Sequence, residues 1–384
     1  MKILFVCNNY YATGNGLSAS ARRTVTYLRK AGQDVRVLSG PNHDDPKLQP
    51  DYILEDIHIP IFDKIVRAHG YKFAGINRKK IKEAVRWADV VHLEEPFFIE
   101  AATAHICHKL GKPCTGTYHL HPENMFYSVK IGWWKGINHG TMAILYRNMV
   151  FNKCSHVSCP TQNVMDRLRR FHYTAKLHLI SNGVIPDTNL RPTMPPKNPD
   201  EPFSIVCIGR LAAEKDQTTL LKAMRYSKYA DRIQLYFAGR GPERKRYLKM
   251  AHKLVDDGVL KYEPIFRYHT RDELRELSAR ADLYVHCAVV EVEGLSALEA
   301  LQQGVVPIMA SGPLTATSQF ALDHRSTFPI RDKRALADRI DWWLDHPEER
   351  EKMSVRYAES TEQYDIRKSV QQLIEMFQLA IDGK

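Results

Sequence analysis

The sequence predicts two α/β domains in one chain, each built on a doubly wound parallel sheet. Both halves open with an apolar strand, a loop and a helical pattern: residues 3–7, 8–16 and 17–31 in the first half, and residues 204–208, 209–216 and 217–224 in the second. This repeated order is what a doubly wound sheet requires. A chain of 384 residues is long enough for two such domains.

The remaining elements fit the same fold class. Further buried strands are predicted at residues 35–38, 90–93, 113–118, 157–160, 177–181, 235–238, 283–287 and 305–310. Gly32 stands where a glycine that ends the first helix belongs. The proline-rich stretch 186–202 has no periodicity and predicts a linker. We therefore expect an N-terminal domain over residues 1–185 and a C-terminal domain over residues 203–384, in which residues 370–380 are amphipathic.

The net charge of +11 lies in the first half of the chain. Residues 1–185 contain 25 Lys and Arg against 14 Asp and Glu, whereas the rest contains 30 of each. A one-sided basic domain indicates an anionic partner, which could be nucleic acid, an anionic membrane or an acidic substrate. The alternative is a merely soluble surface.

Several classes of protein are excluded or disfavoured. No window of eighteen residues is apolar and free of charge, so no transmembrane helix is expected. The short apolar run at residues 1–7 is followed at once by Asn8 and Asn9, with no small-residue cleavage site of a signal peptide behind it. This favours a first strand and a cytosolic protein. The seven cysteines contain no C-x-x-C pair, which predicts buried reduced thiols rather than disulfides or a zinc site. The chain also lacks an Asp-x-Asp pair, so we expect no metal.

The first chemical motif follows the strand at residues 204–208. Gly209-Arg210-Leu211 is followed by Glu214-Lys215, so two cations stand at the carboxyl end of a parallel strand. Ligands bind at this edge of such sheets. The alternative is that both side chains simply solvate a loop.

The second motif is Glu291-x-x-Gly294-Leu295-Ser296-x-x-Glu299. Gly294 precedes a predicted helix whose first amides have no partner within the helix, which favours an anion. Glu291 lies before this helix and Glu299 about a turn and a half inside it. Apolar flanks argue for burial, and buried carboxylates need partners such as ligand hydroxyls. A solvated pair of glutamates is the alternative.

Together these two motifs resemble glycosyltransferase family 4, a retaining family with the GT-B fold. The resemblance implies that Arg210 and Lys215, beside Gly209, hold the diphosphate of a sugar nucleotide, with UDP as the expected nucleotide and no cofactor. It also implies that Glu291 contacts hydroxyls of the transferred sugar and that Glu299 binds the ribose. Backbone amides of Gly294, Leu295 and Ser296 would bind phosphate. In the first half, Gly14 and Gly16 would approach the phosphates, and His119 would contact the donor sugar.

A narrower similarity concerns the acceptor. Residues 118–124 (YHLHPEN), 160–162, 181–184 and 313–322 resemble the branch that contains bacterial diacylglycerol glucosyltransferases. This implies a lipid acceptor, transfer of glucose or galactose, and peripheral attachment to the inner face of the cell membrane. Basic and aromatic residues that suit an anionic membrane are Lys79, Lys80, Lys82, Phe126, Trp133 and Trp134.

Other functions remain open at this point. The acceptor could instead be a soluble glycan or a polysaccharide. A sugar-nucleotide epimerase would use a similar donor site without an acceptor, and a glycan-binding protein would keep the cleft without the cations. No nucleic-acid-binding motif is present, so nucleic acid is not an expected partner.

Overall fold

A computed structural model describes residues 1–12, 16–57, 72–128, 134–187, 198 and 200–384. These residues form two compact units. Unit 1 contains Met1–Gly183 and Ile366–Lys384, and unit 2 contains Val184–Asp365. Each unit is built on one parallel sheet, so the predicted fold class is confirmed.

The sheet of unit 1 has seven strands in the order β3-β2-β1-β6-β7-β8-β9. All of its strand pairs are parallel. Its strands are β1 (Lys2–Val6), β2 (Asp34–Ser39), β3 (Tyr52–Ile53), β6 (Val90–Leu93), β7 (Cys114–Thr117), β8 (His156–Cys159) and β9 (Lys176–Leu179). A separate antiparallel pair is formed by β4 (Asp56–Ile57) and β5 (Phe73–Ala74). The chain reverses its direction of winding between β1 and β6, which is where ligands bind in such sheets.

Helices cover both faces of this sheet because each buries one apolar stripe. They are α1 (Gly16–Lys30), α2 (Arg78–Trp87), α3 (Phe98–Leu110), α4 (Pro122–Ser128), α5 (Lys135–Gly140), α6 (Gln162–Arg170) and, at the end of the chain, α13 (Ile366–Ile381). A π-helical segment, Thr141–Val150, follows α5. Gly32 has a φ of +79°, as expected for a glycine after a helix.

Helix α13 belongs to unit 1, whereas residues 203–384 were all expected in the C-terminal domain. The helix packs on α1 and on strands β6, β7 and β8. Its Phe377 is fully buried, with its ring 5.1 Å from the ring of His92. The amphipathic pattern at residues 370–380 is real, but a pattern within one helix does not identify the sheet that buries it.

The sheet of unit 2 has six strands, all parallel, in the order β12-β11-β10-β13-β14-β15. They are β10 (Phe203–Ile208), β11 (Ile233–Ala238), β12 (Ile265–Arg267), β13 (Leu283–His286), β14 (Val306–Ser311) and β15 (Thr327–Pro329). The winding reverses between the neighbouring strands β10 and β13. The loops after these two strands carry the two donor motifs.

The strands and helices of unit 2 share one continuous apolar core. The helices are α7 (Gln217–Ala223), α8 (Arg244–Asp256), α9 (Arg271–Arg280), α10 (Leu295–Leu301), α11 (Lys333–Asp345) and α12 (Pro347–Ser360). Unit 2 begins at Val184, and most of the predicted linker 186–202 lies outside the described residues.

Two further expectations concern the whole chain. All seven cysteines are free and buried, as the sequence predicts. Within the part of the chain that the structure describes, no helix is both long and apolar enough to cross a membrane.

Candidate functional site

The loop after β10 carries the first pair of charged groups in unit 2. Arg210 donates a hydrogen bond to the carboxylate of Glu214, four residues later. The Glu214 side chain is 1% exposed and that of Arg210 is 31% exposed. Arg210 therefore neutralises a buried carboxylate and still presents part of its guanidinium group to solvent.

Lys215 and Glu291 lie together at the same edge of the sheet. The ammonium group of Lys215 donates a hydrogen bond to Oε2 of Glu291. Nε2 of His286, the last residue of β13, lies 3.3 Å from the same oxygen. Tyr284 supports this histidine, because its hydroxyl lies 2.9 Å from Nδ1 of His286. The two donor motifs thus meet through a direct side-chain contact.

The pKa values of this group follow from its surroundings. Burial alone would raise the pKa of Glu291, but the charge of Lys215 and the contact with His286 outweigh it and lower the pKa. Burial lowers the pKa of His286, despite the opposing effect of Glu291. At neutral pH we therefore expect an ionised Glu291 beside a neutral imidazole.

Gly294 closes the loop between Glu291 and α10. Its φ is +89°, which disfavours any residue with a side chain. A Cβ atom there would lie 2.9 Å from Oγ1 of Thr317 and 3.4 Å from Cγ of Glu291. Leu295 and Ser296 then begin α10, and Oγ of Ser296 lies 3.4 Å from the carbonyl oxygen of Ile208. The first turn of α10 is therefore held against the end of β10.

A cavity of about 200 Å³ lies in unit 2 between α9 and α10. Of the predicted donor residues, Ser296 and Glu299 line it, with Asp187, Arg271, Arg275 and Gln303 among the other polar residues of its wall. Asp187 accepts hydrogen bonds from Arg275 and, at 2.8 Å, from Gln303. The cavity thus lies beside the predicted ribose ligand, with both polar and apolar residues in its wall.

Two glycines that were not predicted from the sequence shape this edge. A Cβ atom on Gly239 would lie 2.0 Å from the carbonyl oxygen of Gly209, and one on Gly241 would lie 2.2 Å from that of Leu211. The loop after β11 therefore approaches the Arg210 loop so closely that only glycine fits. The G-x-G spacing directly after a predicted strand could have indicated this contact.

Unit 1 places His119 at the corresponding edge of its own sheet. Nε2 of His119 lies 2.8 Å from Oε2 of Glu94, and Nε2 of His92 lies 3.0 Å from Oε1 of the same carboxylate. Burial would raise the pKa of Glu94, but His119 and His92 outweigh it and lower the pKa to about 2. Glu94 did not emerge from the sequence analysis.

A second carboxylate cluster lies behind the end of β1. Asn8 donates hydrogen bonds from its side chain to Glu95 at 3.1 Å and to both oxygens of Glu100 at 2.8 and 2.9 Å. Burial and the neighbouring Glu95 raise the pKa of Glu100 well above its usual range. Asn8 is the first residue of the loop 8–16, in which Gly14 and Gly16 were predicted to bind phosphate. Gly16 begins α1, and Gly14 lies outside the described residues.

The residues predicted to face a membrane are only partly described. Lys79, Lys80 and Lys82 lie on α2 and are exposed, while its apolar face is buried. Trp134 is 55% exposed and Phe126 is half-buried, and Trp133 lies outside the described residues. The π-helical segment adds exposed apolar side chains that the sequence analysis missed: Ile144, Leu145 and Met149.

The described part of the chain offers no evident set of metal ligands. No group of three or more His, Cys, Asp or Glu side chains there is arranged to hold an ion.

Two family models match the sequence. The model described as Glycosyltransferase Family 4 matches residues 14–188, and the model described as Glycosyl transferases group 1 matches residues 193–360. They cover nearly the whole chain, including the predicted donor residues. The chain belongs to glycosyltransferase family 4, and its two parallel-sheet units are those of the GT-B fold.

Individual relatives differ in donor and acceptor. Alpha-monoglucosyldiacylglycerol synthase of Streptococcus pneumoniae is 22% identical over 81% of this chain and 71% of its own length. A GDP-mannose-dependent alpha-mannosyltransferase of Corynebacterium glutamicum is 23% identical over 90% of this chain and 81% of its own. HepE of Anabaena, solved in complex with UDP and glucose, has a TM-score of 0.71 at 15% identity, over 98% of this chain and 99% of its own, and shares the fold.

Proposed function

We propose that this glycosyltransferase is a retaining hexosyltransferase that moves glucose or galactose from a UDP-sugar to a membrane lipid, such as a diacylglycerol or a ceramide-like lipid. The product would be a glycolipid. The observation that carries the donor assignment is the hydrogen bond from Lys215 to Glu291, which joins the two donor motifs at the carboxyl edge of the unit 2 sheet.

Lys215 and Arg210 are the proposed diphosphate ligands. The ammonium group of Lys215 has three donor hydrogens and, within the described residues, one hydrogen-bond acceptor, Glu291. Phosphate oxygens can take the others. As the bond between the anomeric carbon and the phosphate oxygen breaks, negative charge grows on the leaving diphosphate, so fixed cations there lower the barrier.

Glu291 and Glu299 are the proposed ligands of hydroxyl groups. An ionised carboxylate only accepts hydrogen bonds, so Glu291 with its lowered pKa suits the hydroxyls of a sugar. Glu299 lies on the wall of the 200 Å³ cavity, which can admit part of the nucleoside. In the proposed mechanism the acceptor oxygen attacks from the face that the diphosphate leaves, and its proton passes to that diphosphate. No protein nucleophile or metal ion is required.

The lipid acceptor rests on the S. pneumoniae relative, which by its name makes a glucosylated diacylglycerol. The surface of unit 1 supports it. Exposed lysines on α2 can meet anionic headgroups, and exposed Trp134 and Ile144 can enter the interfacial layer. We infer peripheral attachment to the cytoplasmic face of the cell membrane.

A panel of donors and acceptors tests this function. UDP-glucose, UDP-galactose and GDP-mannose are incubated with vesicles containing diacylglycerol or with soluble oligosaccharides, and products are identified by mass spectrometry. We expect transfer from a UDP-hexose to the lipid, with the anomeric configuration of the donor retained by NMR, and undiminished activity in EDTA.

Each other outcome contradicts a separate part of the proposal. Transfer only from GDP-mannose overturns the donor, and transfer only to oligosaccharide overturns the lipid acceptor. Inversion at the anomeric carbon overturns the mechanism. Loss of activity in EDTA that magnesium or manganese restores overturns metal independence. Epimerised donor formed without any acceptor indicates a sugar-nucleotide epimerase.

A further inference from the structure

Glu94 and His119 lie at the ends of neighbouring strands in unit 1. Glu94 directly follows β6, and His119 is the second residue after β7. The two strands are paired in parallel, with Leu93 opposite Gly116. Their carboxyl ends therefore share one edge of the sheet, which brings the carboxylate of Glu94 within reach of the imidazole of His119.

The carboxylate of Glu94 lies between two imidazole rings. The carboxylate oxygens of Glu94 lie 2.8 Å from Nε2 of His119 and 3.0 Å from Nε2 of His92. A lone pair on Nε2 of His119 would be repelled by the carboxylate at 2.8 Å, which favours a hydrogen on Nε2 of His119. Glu94 thereby determines which nitrogen of His119 is protonated.

His92 holds the other side of the carboxylate in place. Its ring is fully buried, and its Nδ1 lies 2.9 Å from the hydroxyl of Thr115. Its Nε2 also lies 3.0 Å from the hydroxyl of Thr117. His92 is therefore fixed within the sheet, and it anchors Glu94 from the interior.

Glu94 and His119 are both largely buried, and Glu94 is the more deeply buried of the two. The side chain of Glu94 is 3% exposed and that of His119 is 7% exposed. A cavity of about 10 Å³ borders both residues. A void of this size holds about one water molecule. Each carboxylate oxygen of Glu94 lies against an imidazole nitrogen, so Glu94 can act on a substrate through His119.

We propose that Glu94 is a positioning residue that fixes the orientation and protonation of His119 for its contact with the donor sugar. This inference rests on the proposed function, because it requires the donor contact that the family resemblance implies for His119. The arrangement resembles other sites in which a carboxylate orients an imidazole and selects its tautomer.

Glu94→Gln is the most conservative test. Glu94 uses one oxygen for each histidine, so a glutamine must turn its NH₂ group toward one of the two rings whichever way it is oriented. We expect kcat to fall about ten- to a hundredfold with the donor KM little changed. The double variant Glu94→Gln/His119→Ala should be no slower than His119→Ala. Additive losses, or normal kcat in folded Glu94→Gln, would overturn the proposal.

A spectroscopic measurement does not depend on activity. In the full-length wild-type protein, the ¹⁵N shifts of the His119 ring, assigned with His119→Ala, should show a protonated Nε2. This signal should change in Glu94→Gln and persist in Glu95→Gln, which alters an adjacent buried carboxylate that bonds Asn8 instead of a histidine. An unprotonated Nε2 of His119 in the wild type would overturn the proposal.

These readouts separate the two ideas. If the wild type transfers no sugar to any acceptor, the proposed function fails while the ring signals still test the positioning of His119. If the wild type is active and the ¹⁵N signals of the His119 ring are the same in the wild type and in Glu94→Gln, only the positioning proposal fails.

Discussion

Lys215 donates a hydrogen bond to the carboxylate of Glu291, although the two residues are 76 positions apart in the chain. The contact spans the switch point of the unit 2 sheet, because Lys215 follows β10 and Glu291 follows the neighbouring strand β13. It joins a diphosphate ligand to a sugar ligand in the proposed donor site. Each residue also neutralises the other in the absence of donor.

Lys215→Ala should lower kcat/KM for the sugar nucleotide by about 10²–10³, because it removes a cation that is worth most in the transition state. Steady-state kinetics at several donor concentrations measure the loss. Lys222→Ala is the matched control, since Lys222 is exposed on α7 of the same unit. Equal activity of the two folded variants would contradict the donor site.

Arg210→Ala should reduce both activity and stability. It leaves the carboxylate of Glu214, which is 1% exposed, without its cation. We expect the free energy of unfolding to fall by about 1–3 kcal/mol, measured by urea denaturation.

The double variant Arg210→Ala/Glu214→Gln separates the two effects. Neutralising the buried group should restore most of the stability, while catalysis remains impaired because the diphosphate ligand is still missing. Recovery of full activity in the double variant would show that Arg210 serves only Glu214.

Lys79→Glu/Lys82→Glu should weaken sedimentation with anionic vesicles, because the exposed side of α2 is proposed to meet anionic headgroups. Each Lys or Arg near such a surface contributes about 1 kcal/mol. The control Lys245→Glu/Lys249→Glu changes the net charge equally on the exposed side of α8 in unit 2. Binding should also decline with salt and be absent for neutral vesicles. Equal loss in both variants would assign the binding to net charge alone.

Glu100 should make unit 1 less stable as the pH rises. Its pKa in the folded state is raised by burial and by Glu95, whereas in the unfolded chain it is about 4.3. The contribution of Glu100 to the free energy of unfolding is complete below its unfolded-state pKa. It is lost as the pH rises toward the pKa of the folded state. Urea denaturation of the wild type and of Glu100→Gln, repeated between pH 4 and 8 in steps of roughly one pH unit, measures this pH dependence. The variant should gain stability relative to the wild type with rising pH, and parallel curves would contradict the raised pKa.

The long buried strands could be predicted from the sequence because their apolar runs are continuous. Residues 90–93 and 204–208 match β6 and β10 to within one residue at each end. The edge strands β12 and β15 were missed, since each has only three residues and one buried side chain among them. Such strands form because a neighbour offers backbone partners, and this information is not local.

The candidate site divides in the same way. Arg210, Lys215 and Glu291 could be predicted because the loops that follow apolar parallel strands lie at the carboxyl edge of the sheet. Glu94 and Asn8 also follow strands, but their importance depends on partners more than twenty residues away in the chain. A carboxylate that is buried by tertiary packing has no signature in its own segment.

The placement of α13 makes unit 2 an insertion within unit 1. The chain leaves unit 1 after Gly183 and returns at Ile366, and a Cβ atom on Gly183 would lie 2.7 Å from Cα of Ile366. The ends of unit 2 are adjacent as well, since the Val184 amide donates to the carbonyl oxygen of Tyr364 at 2.7 Å. Unit 2 thus begins and ends at the same place, as an inserted domain does. Its excision, with residues 183 and 366 joined by a short glycine-rich bridge, would leave unit 1 with every strand of its sheet and its final helix in one continuous polypeptide.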